Sequence, residues 1–401
     1  MNVGYAQAVI TPTLDRPVFL AGFGQNRRAE SVHDDLYVRA LALQTEDTTL
    51  VLTALDLIGF FRHDVYEVIE TLRVSEVFKV LHPEVLIASV HPHHGPDTMG
   101  IWGPDMRTRG VDEGYMHILK DKIAAAILAA LADLRPAAVK MTSVHVPGLA
   151  KNNRNPEILD DELTLAQFVS RDHISTYVSL FDFPCHPEVL WEHNPHITAD
   201  YVGCLRDEVQ RQTGAPCIFF AGGLGGMMTP DVRDHSFEEA EVMGRKLAEV
   251  GVKALGEADS AEVEEIGLRR QGIRARLTNP LYKLAFLFKT LPDARNQRGE
   301  IESEVNLVKI GGLWLAAVPG ELLPKLGLRL KAQMKAAGAQ VAGVIGLAND
   351  ELGYILPVED FKYPLNPFRP GRNYEETNSI GKGIAPAVMD GLASLLEEVT
   401  P

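Results

Sequence analysis

Five apolar runs of strand length each stop abruptly at a loop of glycine, proline and ligand-type side chains. This repetition constrains the fold more than any other feature of the chain. Residues 86–90 run into His91-Pro92-His93-His94-Gly95-Pro96-Asp97, and residues 177–183 into Pro184-Cys185-His186. Residues 217–221 end at Gly222-Gly223-Leu224-Gly225-Gly226, and residues 313–318 at Pro319-Gly320-Glu321. Residues 341–347 end in a loop that closes on Gly353-Tyr354. Open α/β sheets build their sites outside the carboxyl ends of their strands. The layout therefore predicts an α/β fold: a mixed β-sheet core with flanking helices and a site built from loops at strand ends.

Further strands are expected at 38–43 and 50–55. Amphipathic helices are expected at 64–80, at 112–134, where Met116, Leu119, Ile123, Ile127 and Leu131 share a face, and at 236–256, where Ser236 and Glu239 form a capping box. No repeat or low-complexity linker interrupts the chain, and the acidic stretch around 256–266 reads as a solvated connection. One catalytic domain over residues 1–401 is expected.

The histidine loop carries the chemistry. Residues two apart on a strand point the same way, so His91 and His93 can converge on one point. Three histidines in four positions favour metal binding or catalysis over a polar surface loop. His186 and Glu321 occupy the same topological position on other strands, completing a set of imidazoles and a carboxylate suited to zinc. The five small or flexible positions 222–226 lack the lysine and spacing of a phosphate loop. Gly222 and Gly223 are instead assigned to close approach of a substrate, their amides facing an oxyanion. His94 and Asp97, in the histidine loop, are assigned to substrate contact as well.

Ordered motifs along nearly the whole chain resemble those of the neutral, non-lysosomal ceramidases. They are Gly4-Tyr5-Ala6, Ile10-Thr11-Pro12, Val32-His33-Asp34, Leu55-Asp56-Leu57, the His91–Pro96 run, Asn153-Arg154, His186, Val318-Pro319-Gly320-Glu321, Tyr354 and Tyr374-Glu375-Glu376. The resemblance implies Zn2+ held by His91, His186, Glu321 and Tyr354. It places His93 beside the metal and Arg154 in the pocket as catalytic groups. It implies hydrolysis of an N-acyl amide bond by metal-bound water, with a small-molecule or lipid-like acyl amide as substrate. Three departures accompany it. Gly223 stands where relatives carry a serine, Pro187-Glu188 follows His186, and no C-terminal immunoglobulin-like domain is expected. Two other readings stay open: a two-metal phosphoesterase using His91, His93, Asp56 and His33, and a non-catalytic zinc-containing relative that binds a lipid or metabolite.

A net charge of −15 argues against nucleic acid as a partner. The cysteines Cys185, Cys204 and Cys217 show no paired spacing and read as reduced thiols. No basic, apolar leader opens the chain, which points to a cytoplasmic protein, or a secreted one if a leader was trimmed. Oligomeric state is left open. The apolar segment 279–289 reads equally as core or as a groove wall or peripheral lipid contact, extending to about residue 292.

Overall fold

The structure is a computed structural model that describes residues 1–362 and 373–399. Its larger sheet runs in the spatial order Cys217–Ala221, Thr176–Phe183, Glu162–Ser170, Arg135–His145, Asn2–Val9, Tyr37–Gln44, Thr49–Leu55, Glu84–Ser89, with Ser260–Ala261 added beside Arg135–His145. The pairs at the two ends of this order are parallel and those between them antiparallel. The parallel strands read as continuous apolar runs because both of their faces are covered.

A second sheet orders Ile266–Arg276, Glu300–Ile310, Leu313–Ala317 and Val341–Ile345, the last pair parallel. The two sheets share one core, in which Val308, Leu313, Leu315 and Ile345 lie with Leu165, Phe181 and Phe219. The helix Glu113–Ala132 covers Asn2–Val9 and Tyr37–Gln44, burying Met116, Leu119, Ile123, Ile127 and Leu131 as its periodicity requires. Tyr201–Thr213 and Phe237–Glu257 pair over the other end, and Ile384–Val399 covers the second sheet. The single helix expected at 64–80 is two, Arg62–Arg73 and Glu76–Leu81. The break falls at Val74-Ser75, where Ser75 adopts extended backbone at the start of the second helix.

One short segment positions the site. After Val341–Ile345, Gly346 N donates to Ala221 O at 2.8 Å, Ser89 N donates to Leu347 O at 3.1 Å, and Asn349 N donates to Ile87 O at 2.7 Å. Residues 346–349 thus stitch the two ends of the large sheet to each other. The carboxyl ends of Thr176–Phe183 and Glu84–Ser89 meet although they lie far apart in strand order.

Candidate metal centre and active site

Beyond Glu84–Ser89 the backbone turns sharply. Val90 N donates to Leu55 O at 2.7 Å and His91 N to Leu57 O at 2.9 Å. His91 sits at φ +73°, a strained value for a residue with a side chain, of the kind found at functional sites. Its Nδ1 faces the Ile58 carbonyl. A carbonyl can only accept, so Nδ1 carries the proton and Nε2 keeps its lone pair. His186 also donates Nδ1 to a carbonyl, Met228 O at 2.9 Å, and turns Nε2 toward Glu321. His93 turns Nδ1 toward Glu188 Oε2 at 3.0 Å, without an aligned hydrogen bond. The three buried rings stand with centroids 5.1, 5.2 and 5.4 Å apart. One ring nitrogen from each lies within 4.8 Å of the others, a group able to hold a metal ion.

Glu321 and Tyr354 close the cluster. The short strands Glu321–Leu322 and Tyr354–Ile355 pair in parallel with these two residues opposite each other. Glu321 Oε2 lies 3.0 Å from His186 Nε2, its Oε1 3.9 Å from His91 Nε2, and the Tyr354 hydroxyl bonds to the same carboxylate. The glycine loop makes this possible. Gly225 N donates to Leu322 O at 3.0 Å, and a β-carbon on Gly225 would stand 2.5 Å from Glu321 O.

The electrostatics suit a cation. Burial pushes His91 down to about 3, against the pull of Glu321, so the ring is neutral. Burial also opposes charge on His186, but Glu188 and Glu321 outweigh it and lift the ring to about 9. Burial would raise Glu188, yet His93 and His186 hold it down at about 2. Glu321 is likewise lowered, by His91 and His186 against its own burial. Two anionic carboxylates thus share a dry site with three imidazoles, His186 among them already paired with Glu321. Neither His93 nitrogen and neither Glu188 oxygen has an aligned hydrogen bond among the described residues. Buried polar atoms in that condition fit a metal site, and the nitrogen and oxygen donors are of the zinc type.

Other residues singled out in the sequence lie around this cluster in different roles. Arg154 is gripped by Glu375 at 2.6 Å, by Glu376 at 2.9 Å and by Asp360 O at 2.8 Å. It lines a cavity of about 220 Å³ with Met227 and Tyr374, beside Tyr354. His94 is fully buried and faces the Trp191 carbonyl at 2.8 Å. Asp97 accepts from the amides of Met99, Gly100 and Trp102, fixing its own loop. The Gly222 amide donates to Phe183 O, and Gly223 lies against Leu322 O. The glycine run therefore lets the Glu321 strand approach, and the Gly222 amide is already taken by the protein. Asp56 makes a buried bidentate pair with Arg206 at 2.7 and 2.8 Å, while half-exposed His33 pairs with Asp34 and stacks on Phe237. The four-residue two-metal set is not assembled.

Sequence reasoning missed Glu188 as a partner of His93; its signal was a carboxylate two residues beyond a strand-end histidine. It missed Phe23, whose ring meets His93 edge-on at 4.8 Å, and Glu351, raised by burial and by Glu321. No protein-family model matches the chain, and no curated protein matches it by sequence. Solved structures do. A neutral ceramidase from Pseudomonas aeruginosa superposes with a TM-score of 0.79 at 18% identity, over 99% of this chain and 74% of that one. A ceramidase complexed with C2 gives 0.80 at 17% identity, over 99% and 75%. The fold is that of neutral ceramidase. The histidine cluster lies within the stretch that this ceramidase fold covers, and at such identity the likeness is one of architecture.

Proposed function

We propose that this chain is a zinc-dependent hydrolase of the ceramidase type, cleaving the N-acyl bond of a lipid-like amide. The observation that carries the reading is the convergence of His91, His93 and His186, each turning one ring nitrogen inward, against Glu321 on a ceramidase fold. His91, His186, Glu321 and Tyr354 would hold the ion, whose Lewis acidity would polarise the acyl carbonyl. His93 is the residue that moves protons. With Nδ1 held by Glu188, its Nε2 takes a proton from the attacking water and returns it to the departing amine nitrogen. The buried Glu188 carboxylate orients the ring and balances its charge in between.

Elemental analysis together with a panel of N-acyl amines of increasing chain length tests the reading. The expected protein carries one equivalent of zinc, loses it in His91→Ala, and keeps it in His93→Ala while turnover falls by about 10²-fold or more. Loss of zinc from His93→Ala would make His93 a ligand instead. Failure of the zinc-loaded protein to cleave any amide in the panel would overturn the proposal.

A further inference from the structure

The helix Pro280–Leu287 is apolar on both sides. Toward the protein, Tyr282 and Phe286 line a cavity of about 450 Å³ with Phe61 and Leu291. Toward solvent, Leu284, Leu287 and Phe288 are exposed, the last two at 71% and 56%. A surface helix of a globular protein keeps one polar face, and this one has only Lys283 within its eight residues. Clustered exposed apolar side chains at one place mark a contact surface.

The surroundings identify the kind of surface. Lys283 and Lys289 flank the exposed tip, and neither is in an ion pair among the described residues. The neighbouring loop repeats the arrangement. It abuts the segment after the helix, since a β-carbon on Gly100 would meet both Thr290 O and Arg109 Nε at 2.8 Å. Farther along it Met106 is 78% exposed beside Arg107. Two adjoining segments therefore present bare apolar tips, one flanked by Lys283 and Lys289 and the other set between Asp105 and Arg107, on a chain whose net charge is −15. Apolar side chains of this reach, with Lys283 and Lys289 beside them, suit the headgroup boundary of an anionic bilayer. No helix among the described residues is long and apolar enough to cross a membrane, so the contact is peripheral.

We propose that the helix Pro280–Leu287 and the adjoining 100–109 loop form a docking surface for anionic lipid bilayers, with Leu287, Phe288 and Met106 entering the interface and Lys283 and Lys289 facing the headgroups. This goes beyond the hydrolase reading and does not depend on it.

Flotation of the full chain with vesicles tests the proposal, using phosphatidylcholine alone and phosphatidylcholine with about one-third phosphatidylglycerol. The wild-type chain should partition onto the anionic vesicles about tenfold or more better than onto the neutral ones. Leu287→Glu/Phe288→Glu should reduce that partition by about tenfold or more, with the thermal unfolding midpoint unchanged because both side chains are exposed. Lys283→Ser/Lys289→Ser should remove most of the preference for anionic over neutral vesicles. No flotation of the wild-type chain, or equal flotation of the glutamate variant, would overturn the proposal. So would a wild-type dimer in sedimentation velocity that the glutamate variant converts to monomer, since the face would then be covered by a second copy.

Discussion

Replacing Gly22 by alanine tests whether the loop that follows the strand Asn2–Val9 clamps His93. Gly22 lies at φ +103°, and a β-carbon there would stand 2.4 Å from His93 Cγ and 2.8 Å from Nδ1. Two penalties combine. The backbone strain of a side chain at such a φ costs about 1–3 kcal/mol. Displacing a buried ring to make room costs about 1–3 kcal/mol more. Two other glycines separate these contributions. Gly148, at φ +80° with open space around it, should show the strain alone, about 1–3 kcal/mol in Gly148→Ala. Gly24 has neither a positive φ nor a neighbour within 4 Å, so Gly24→Ala should be neutral or slightly stabilising, by up to about 1 kcal/mol. Urea unfolding midpoints of the three variants, read with a common slope, give the ranking. Gly22→Ala should be the least stable by a clear margin, and its displaced ring should lower turnover as well. If it matched Gly148→Ala to within about 0.5 kcal/mol, the ring would not be clamped and the account of His93 would fail.

Two further perturbations probe buried charges. Burial raises Asp182 to about 8, against the pull of Lys331, so the folded protein keeps a proton that the unfolded chain releases near pH 4. Stability should therefore fall between about pH 4 and 8, by up to roughly 1.4 kcal/mol per pH unit, and Asp182→Asn should remove that slope. A difference between variant and wild type that stays constant from pH 5 to 8 in urea titrations would contradict the assignment. Arg206→Met leaves the Asp56 carboxylate, among the described residues, with the Tyr37 amide at 2.8 Å and should cost about 3–5 kcal/mol. Adding Asp56→Asn should recover about half of that loss, and a single variant as stable as wild type would show that the pair is not desolvated.

The parts of the fold readable in the sequence were those in which local pattern and burial agree. Residues 217–221 form a strand with the expected bounds, because both of its faces are covered and the apolar run is uninterrupted. The capping box held in part: Glu239 N donates to Ser236 Oγ, but the Glu239 carboxylate turns to Arg233. The long pair Ile266–Arg276 and Glu300–Ile310 was not legible. Its first strand carries Arg269, Arg270, Arg274 and Arg276 along a surface edge, and such charge reads as loop. At the site, His91, His186 and Glu321 could be picked out as strand-end ligand types, whereas Tyr354 came from the family resemblance. The pairing of His93 with Glu188 could not, because only the stitched sheet ends bring their loops together. Arg154 shows the converse. Its motif was visible, but its partners Glu375 and Glu376 come from the far end of the chain and fix it as a clamp beside the cavity.

The stitch at residues 346–349 also sets the order in which the protein can mature. The cluster draws on His91, early in the chain, and on Tyr354, near its end, and the hydrogen bonds from 346–349 hold the two sheet ends that carry the histidines. Contacts so distant in sequence form late and slowly during folding. A nascent chain has the histidine loop long before it has Glu321, and it has Glu321 before the segment that fixes the loop in place. A fragment ending before Gly346 lacks Tyr354 and residues 346–349, the connecting side of the stitch. Binding of an ion by the full proposed set would therefore follow synthesis of the chain through Tyr354.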